Sequence, residues 1–160
     1  MVLFHCTHLD LKPEDIIAPG NWGKKIFESG ITHPSWAREI VLEAIRVQYF
    51  PNKPSRFNST FSCDSLETIK CYKKQNCPNG FIYEVMMVED YPIHKGDFNA
   101  VQPLPYLNAD MMQIAHWYWL YAHKTAVTEW PGVECSEILT QSPLRVLRKI
   151  EESQPDIDDK

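Results

Sequence analysis

The sequence predicts an α+β fold whose strands and helices are segregated rather than alternating as βαβ units. Three observations lead there. Ser35–Phe50 carries apolar residues at 36, 40, 41, 44, 45 and 47, the spacing of a helix with one buried stripe. FIYEVMMV, Phe81–Val88, alternates like a central strand. Between them Pro54–Lys74 reads as a strand feeding directly into a helix, and the full order is strand, loop, helix, strand, helix, strand, loop, helix, strand, strand. At 160 residues the chain is one domain over 1–150, with room for a single core. The tail EESQPDIDDK, 151–160, is acidic, poor in apolar residues and expected to be disordered.

Taken in order, MVLFHCTHL opens with a short strand that the polar LDLKPED cannot continue, leaving His5, Cys6, Thr7 and His8 at its end. Two histidines and a cysteine there fit metal ligands, but no second half of a metal site follows, so no metal is expected. Asp10–Gly23 holds two prolines and two glycines and reads as a structured loop packed through Ile16, Ile17 and Trp22 on the first strand. On the Ser35–Phe50 helix, Arg38, Glu39, Glu43 and Arg46 form the wet face, with Glu43 and Arg46 as helical neighbours. FPNKPSR then breaks the helix, with Arg56 on the threshold of a strand from Phe57 to Cys63.

Asp64 with Glu67 forms a capping box for the helix that runs to about Lys74. The hydroxyls of Ser59, Thr60 and Ser62 suit either a solvated edge strand or the floor of a ligand pocket. CPNG is a turn before the Phe81–Val88 strand. Asp90–Leu107 is irregular, and a segment of that length in a small domain is commonly functional. Its Asp97 is the segment's most prominent ionisable residue, or simply a turn former. Asn108 caps a helix to about Lys124 whose Met112, Ala115, His116, Trp119 and Leu120 share a core-facing side, and His116 and His123 read as core or surface histidines rather than ligands. EWPGVE is a turn, and SEILT and RVLRKI are two strands hinged at Ser142 and Pro143.

A net charge of -5 disfavours a nucleic-acid backbone as the main partner. Five scattered cysteines without C-x-x-C spacing point to neither a disulfide framework nor a zinc ribbon. The N-terminus lacks signal-peptide organisation and no apolar run reaches a membrane span, so a soluble cytoplasmic protein is expected.

Three segments, FHCT at the first strand, RFNSTFSCDSLETIKCY, and SEILTQSPLRVLRKI as a late hairpin, together resemble the ADP-ribosyltransferase superfamily. FHCTHLDLKPEDIIAPG is similar to the start of the rifampin-modifying members. The pattern from there through FPNKPSR to FIYEV resembles a small bacterial and phage family of uncharacterised domains. The resemblance implies a split β-sheet with flanking helices, NAD as substrate, and a setting in bacterial or phage defence or counter-defence. It places His5 on the adenosine ribose, Cys6 where these families use glycine to bind the nicotinamide carboxamide through backbone, and Thr7 at the close of the same motif. Ser59 and Thr60 take the pair that orients the nicotinamide ribose and the acid, while Phe61 replaces the third residue of that motif and offers a ring to stack on nicotinamide. Glu137, before Ile138 and Leu139, is the implied catalytic glutamate. Glu134 lies three residues earlier rather than the two of arginine-modifying members. The rifampin-like alignment instead makes Asp97 the acid.

The implied activity is cleavage of the nicotinamide glycosidic bond through an oxocarbenium-like ribose, stabilised by a carboxylate in a water-poor site, with transfer to an unidentified acceptor. Protein is favoured over nucleic acid as that acceptor, and Asp90–Leu107 is expected to face it. A catalytically silent domain of the same fold that binds a protein or nucleotide, and an NAD glycohydrolase that uses water, are the alternatives.

Overall fold

A computed structural model describes residues 1–101, 110–120 and 135–150. The expected Asn108 cap, the helix beyond residue 120, the EWPGVE turn, Glu134 and the acidic tail lie outside the described residues.

Two antiparallel sheets organise the chain. In the first, β1 (Val2–Thr7), β4 (Phe81–Met87), β7 (Leu144–Ile150) and β2 (Ile16–Ile17) lie in the order β1-β4-β7-β2. In the second, β3 (Thr60–Ser62), β6 (Ser136–Thr140) and β5 (Ile93–Asp97) lie in the order β3-β6-β5. Among the described residues one backbone pair bridges the sheets, in which Phe4 and Cys63 exchange N–H···O bonds of 2.8 Å. The helices are α1 (Asn21–Ser29), α2 (Trp36–Tyr49), α3 (Leu66–Asn76) and α4 (Asp110–Leu120). None of the described helices is long and apolar enough to cross a membrane.

Alternation along β6 decides the layering. Ile138 packs with Leu3, Tyr83, Val85, Leu144 and Val146 of the first sheet. Its neighbour Leu139 points the other way, into Leu42 and Ile45 of α2 and Ile114, Tyr118 and Trp119 of α4. The second sheet is therefore the middle layer, and every residue of β6 is buried. Each large apolar side chain taken fully out of water there contributes about 1.5–3 kcal/mol. Trp119 is buried because its indole N–H reaches the Leu42 carbonyl at 2.8 Å.

Several expected elements change. SEILT and RVLRKI are not a hairpin: β6 and β7 belong to different sheets, and Ser142–Pro143 carries the chain between them. The Asp90–Leu107 segment contains β5, so Asp97 sits on a strand and not in a turn. The Phe57–Cys63 strand shrinks to Thr60–Ser62, because Arg56–Asn58 is a 3-10 turn capped by Ser55, whose hydroxyl accepts from the Phe57 N–H. Ser65 rather than Asp64 caps α3, accepting from Thr68 N at 3.1 Å, which leaves Asp64 for an ion pair with Lys95.

The Asp10–Gly23 loop yields β2, paired with β7 and not with β1, and then α1. Gly20 enters α1 at φ 89°, and a Cβ on Gly23 would fall 2.2 Å from the Phe57 carbonyl oxygen, so glycine lets this helix lie against the Arg56 turn. On α2 the buried stripe runs through Arg38, Glu39, Leu42 and Ile45, while Ile40 and Val47 are exposed. Arg38 and Glu39 are thus interior, against the expected wet face, because their partner is a buried charge that apolar spacing does not register. On α4 the core takes Met111, Ile114, Ala115, Tyr118 and Trp119, and Met112 and Leu120 face out.

Candidate active-site cleft

Beyond the Phe4–Cys63 pair β1 and β3 separate, and a cleft of about 620 Å³ opens between them. His5, Cys6 and Thr7 line one side; Ser59, Thr60 and Phe61 line the other, and Glu137 reaches in from β6. Trp22 and Lys25 of α1 and Tyr72 of α3 complete the wall. α1 is tied to this wall by Gly20 N, which donates to the Ser59 carbonyl at 3.2 Å.

His5 Nδ1 donates to the Phe61 carbonyl at 2.7 Å, since a carbonyl can only accept, and Nε2 keeps its lone pair. Burial lowers the His5 pKa against the opposing pull of that hydrogen bond, so the ring is a neutral acceptor. Ser59 donates its hydroxyl proton to the Ser55 carbonyl at 2.6 Å. Thr60 shares its proton between the carbonyls of Thr140 and Ser142 at 3.2 and 3.1 Å. Both hydroxyls thus offer the cleft lone pairs rather than protons. Burial raises the Tyr72 pKa, which keeps its phenol protonated. The Phe61 ring meets Trp22 edge-on at 6.5 Å, and Lys25 stands 5.9 Å from the Trp22 ring.

Behind the cleft lies a network that sequence reasoning did not see. Glu137 is 2 % exposed, and its Oε1 accepts from Arg56 Nη1 and from the Tyr118 hydroxyl, the latter at 2.8 Å. Arg56 turns its other edge to Glu39, with Nε to Oε2 at 2.8 Å and Nη2 to Oε1 at 3.3 Å. Arg38 supplies a second cation to Glu39 Oε1 at 2.9 Å. Burial alone would raise the Glu39 pKa, but the charges of Arg56 and Arg38 outweigh it and hold the carboxyl below its usual range. Burial works against the Arg56 charge, and Glu137 and then Glu39 more than restore it, so Arg56 stays cationic. Tyr118 is pushed well up by burial and by Glu137, against the pull of Arg56.

Two buried polar side-chain atoms have no hydrogen-bond partner among the described residues, Glu137 Oε2 and Trp22 Nε1, and both residues line this cleft. Leaving a buried acceptor unmet costs about 1–3 kcal/mol, which marks such an atom for explanation.

Asp97 is not among the cleft-lining residues. Register pairs Gly96 with Glu137 and Asp97 with Ser136, so Asp97 lies on the opposite face of the sheet from Glu137. Among the described residues no cluster of histidine, cysteine and carboxylate side chains suits a metal ion. Arg56, Tyr118 and Glu39 were missed because each looks ordinary alone: an arginine after a proline-rich bend, a tyrosine in an aromatic helix, and a glutamate in a charged run. The available signal was the pairing of Arg56 with a helix whose charges share a stripe with Leu42 and Ile45.

The fold and cleft define a two-sheet α+β protein with a buried glutamate, Glu137, among the residues that line an open groove. Residues 21–152 match the family described as a protein of unknown function, DUF2441, and the chain belongs to that family. No curated protein matches the chain. The matched residues include Ser59, Thr60, Phe61, Asp97 and Glu137, whereas His5, Cys6 and Thr7 precede them.

Proposed function

We propose that the chain is an NAD-dependent ADP-ribosyltransferase, with the β1–β3 cleft as its active site. One observation carries this reading. Residues far apart in sequence, His5, Ser59, Thr60, Phe61 and Glu137, meet in one cleft, and the carboxylate among them keeps a free oxygen.

In this reading a hydroxyl of the nicotinamide ribose donates to Glu137 Oε2. As the glycosidic C–N bond breaks, its electron pair leaves with neutral nicotinamide, and positive charge grows on the ribose. The negative charge of Glu137 and the exclusion of water lower the cost of that charge. The acceptor then bonds to the ribosyl carbon and gives up its proton. His5, neutral, accepts from a ribose hydroxyl through Nε2. Phe61 supplies a ring face, and the lone pairs of Ser59 and Thr60 orient hydroxyl donors. Cys6 lines the cleft where the resembling families bind the nicotinamide amide through backbone. The chain's charge of -5 favours a protein acceptor over nucleic acid.

Incubation of the purified protein with NAD and a cell extract, following nicotinamide by chromatography and ADP-ribose adducts by mass spectrometry, tests this. Glu137→Gln is expected to lose about a hundred- to a thousandfold in nicotinamide release while still binding NAD. Asp97→Asn should keep release, because it sits off the cleft. Free ADP-ribose as the sole product would assign water as acceptor. No nicotinamide release, together with no NAD binding by calorimetry, would overturn the proposal.

A further inference from the structure

We propose that Arg56 and Tyr118 form a clamp that presents Glu137 to the cleft as a single accepting oxygen, making both of them positioning residues. The assignment of what that oxygen does rests on the NAD reading above; the clamp itself rests on geometry.

The guanidinium of Arg56 is held on every side. One edge is forked onto Glu39 at 2.8 and 3.3 Å, and Nη1 donates to both Glu137 Oε1 and the Tyr118 hydroxyl, the latter at 2.5 Å. The Phe61 and Tyr118 rings lie 5.0 and 5.1 Å from its central carbon. A planar cation fixed at its edges and faces cannot follow a carboxylate that swings, so the carboxylate is fixed instead. Tyr118 closes the triangle by donating its own proton to Oε1 at 2.8 Å.

Two charged or polar donors are thereby spent on one oxygen of Glu137 and none on the other. A cluster built only to stabilise the core would spread its donors over both oxygens, as Arg38 and Arg56 do over Glu39. The asymmetry at Glu137 therefore points to a ligand donor, a hydroxyl or an amide, at Oε2. Room for the clamp comes from the strand beside it. Gly96 is the register partner of Glu137, and a Cβ there would lie 2.4 Å from the Tyr118 ring.

Arg56→Lys keeps the charge and loses the fork, and Tyr118→Phe keeps the ring and loses one donor. With nicotinamide release as the readout, kcat should fall about a hundredfold in the first, the scale of a misplacement of about 1 Å, and about tenfold in the second. KM for NAD should stay within about twofold in Tyr118→Phe, because Tyr118 does not line the cleft as Arg56 does. A merely structural residue would lower thermal stability without separating kcat from KM. Should Arg56→Lys not fold, Tyr118→Phe carries the test, since it removes a single oxygen from a retained ring.

Crystal structures of the wild type and Tyr118→Phe read the clamp without turnover, expecting the Glu137 carboxylate rotated in the variant. Unchanged kcat in folded variants, or a Glu137 carboxylate that keeps its place in both structures, would overturn the clamp. A wild type that shows the clamp but releases no nicotinamide would instead overturn the NAD reading.

Discussion

The two sheets treat charge in opposite ways. In β1-β4-β7-β2 the interior is Leu3, Tyr83, Val85, Leu144 and Val146, and ion pairs such as Arg148–Glu84 and Lys149–Asp10 sit at its margins. In β3-β6-β5 the interior holds Glu137, His94, Asp97, Thr60 and Thr140, each no more than 3 % exposed. The first arrangement needs only apolar area. The second holds only if nearly every polar group is met, because an unmet one in a low-dielectric interior is costly. One sheet is thus built to hold the chain together and the other to hold a polar group in place, so mutation should separate stability from turnover.

The largest effect is expected at Glu39. Glu39→Ala leaves Arg38 buried without a carboxylate and Arg56 with Glu137 alone, and should cost about 3–5 kcal/mol of stability, read by urea unfolding. It should lower nicotinamide release as well, because Arg56 loses the partner that fixes it. Leu144→Ala, in the first sheet, should cost about 2–5 kcal/mol through the cavity it leaves. Its release rate, measured where it is still folded, should match the wild type. Loss of release in folded Leu144→Ala would remove the distinction between the sheets.

Gly96→Ala sharpens the comparison within the second sheet. The added methyl meets three atoms of the Tyr118 ring at 2.4 to 2.9 Å, so the ring must shift, at about 1–3 kcal/mol for overpacking. Because that ring carries a donor to Glu137, release should fall further than the stability loss explains. Equal release in folded Gly96→Ala would mean that Tyr118 does not set the carboxylate.

How much of this was legible follows the same division. The alternation of Phe81–Val88 predicted a central strand, and β4 lies between β1 and β7. A polar strand running into a helix was visible at Ser59–Ser62, and the resemblance to the ADP-ribosyltransferase superfamily, not periodicity or spacing, singled out His5 and Glu137, which share a cleft. What could not be read is what buried charges do. Hydrophobic periodicity sees Ile40 and Val47 as interior and Glu39 as wet, whereas Arg56 draws Glu39 inward. Nor does sequence spacing reveal that β6 and β7, with little chain between them, enter different sheets, since both strands are apolar enough to look like one hairpin.

The smallest expected effect is a pH dependence from a buried histidine of the second sheet. His94 Nε2 donates to the Tyr118 carbonyl at 3.1 Å, and Nδ1 accepts from the Lys53 ammonium at 3.3 Å, which fixes one neutral tautomer. Burial, then the charge of Lys53, brings its pKa down to about 3 against the hydrogen bond to Tyr118, with Arg56 adding slightly in the same direction. The unfolded chain takes up that proton near pH 6.5 and the folded chain does not, so stability is full above 6.5 and falls as the pH drops toward 3. Between pH 6.5 and 5.5 the loss from this group is about 1 kcal/mol. Burial lowers the His5 pKa as well, which adds a slope of the same sign, so the test is a difference. In urea unfolding, His94→Gln should close about 1 kcal/mol of its gap to the wild type over that interval, because glutamine offers a donor and an acceptor without titrating. A gap that stays constant with pH would mean that His94 takes up its proton alike in the folded and unfolded chain, and that the second sheet accommodates a further charge beside Lys53.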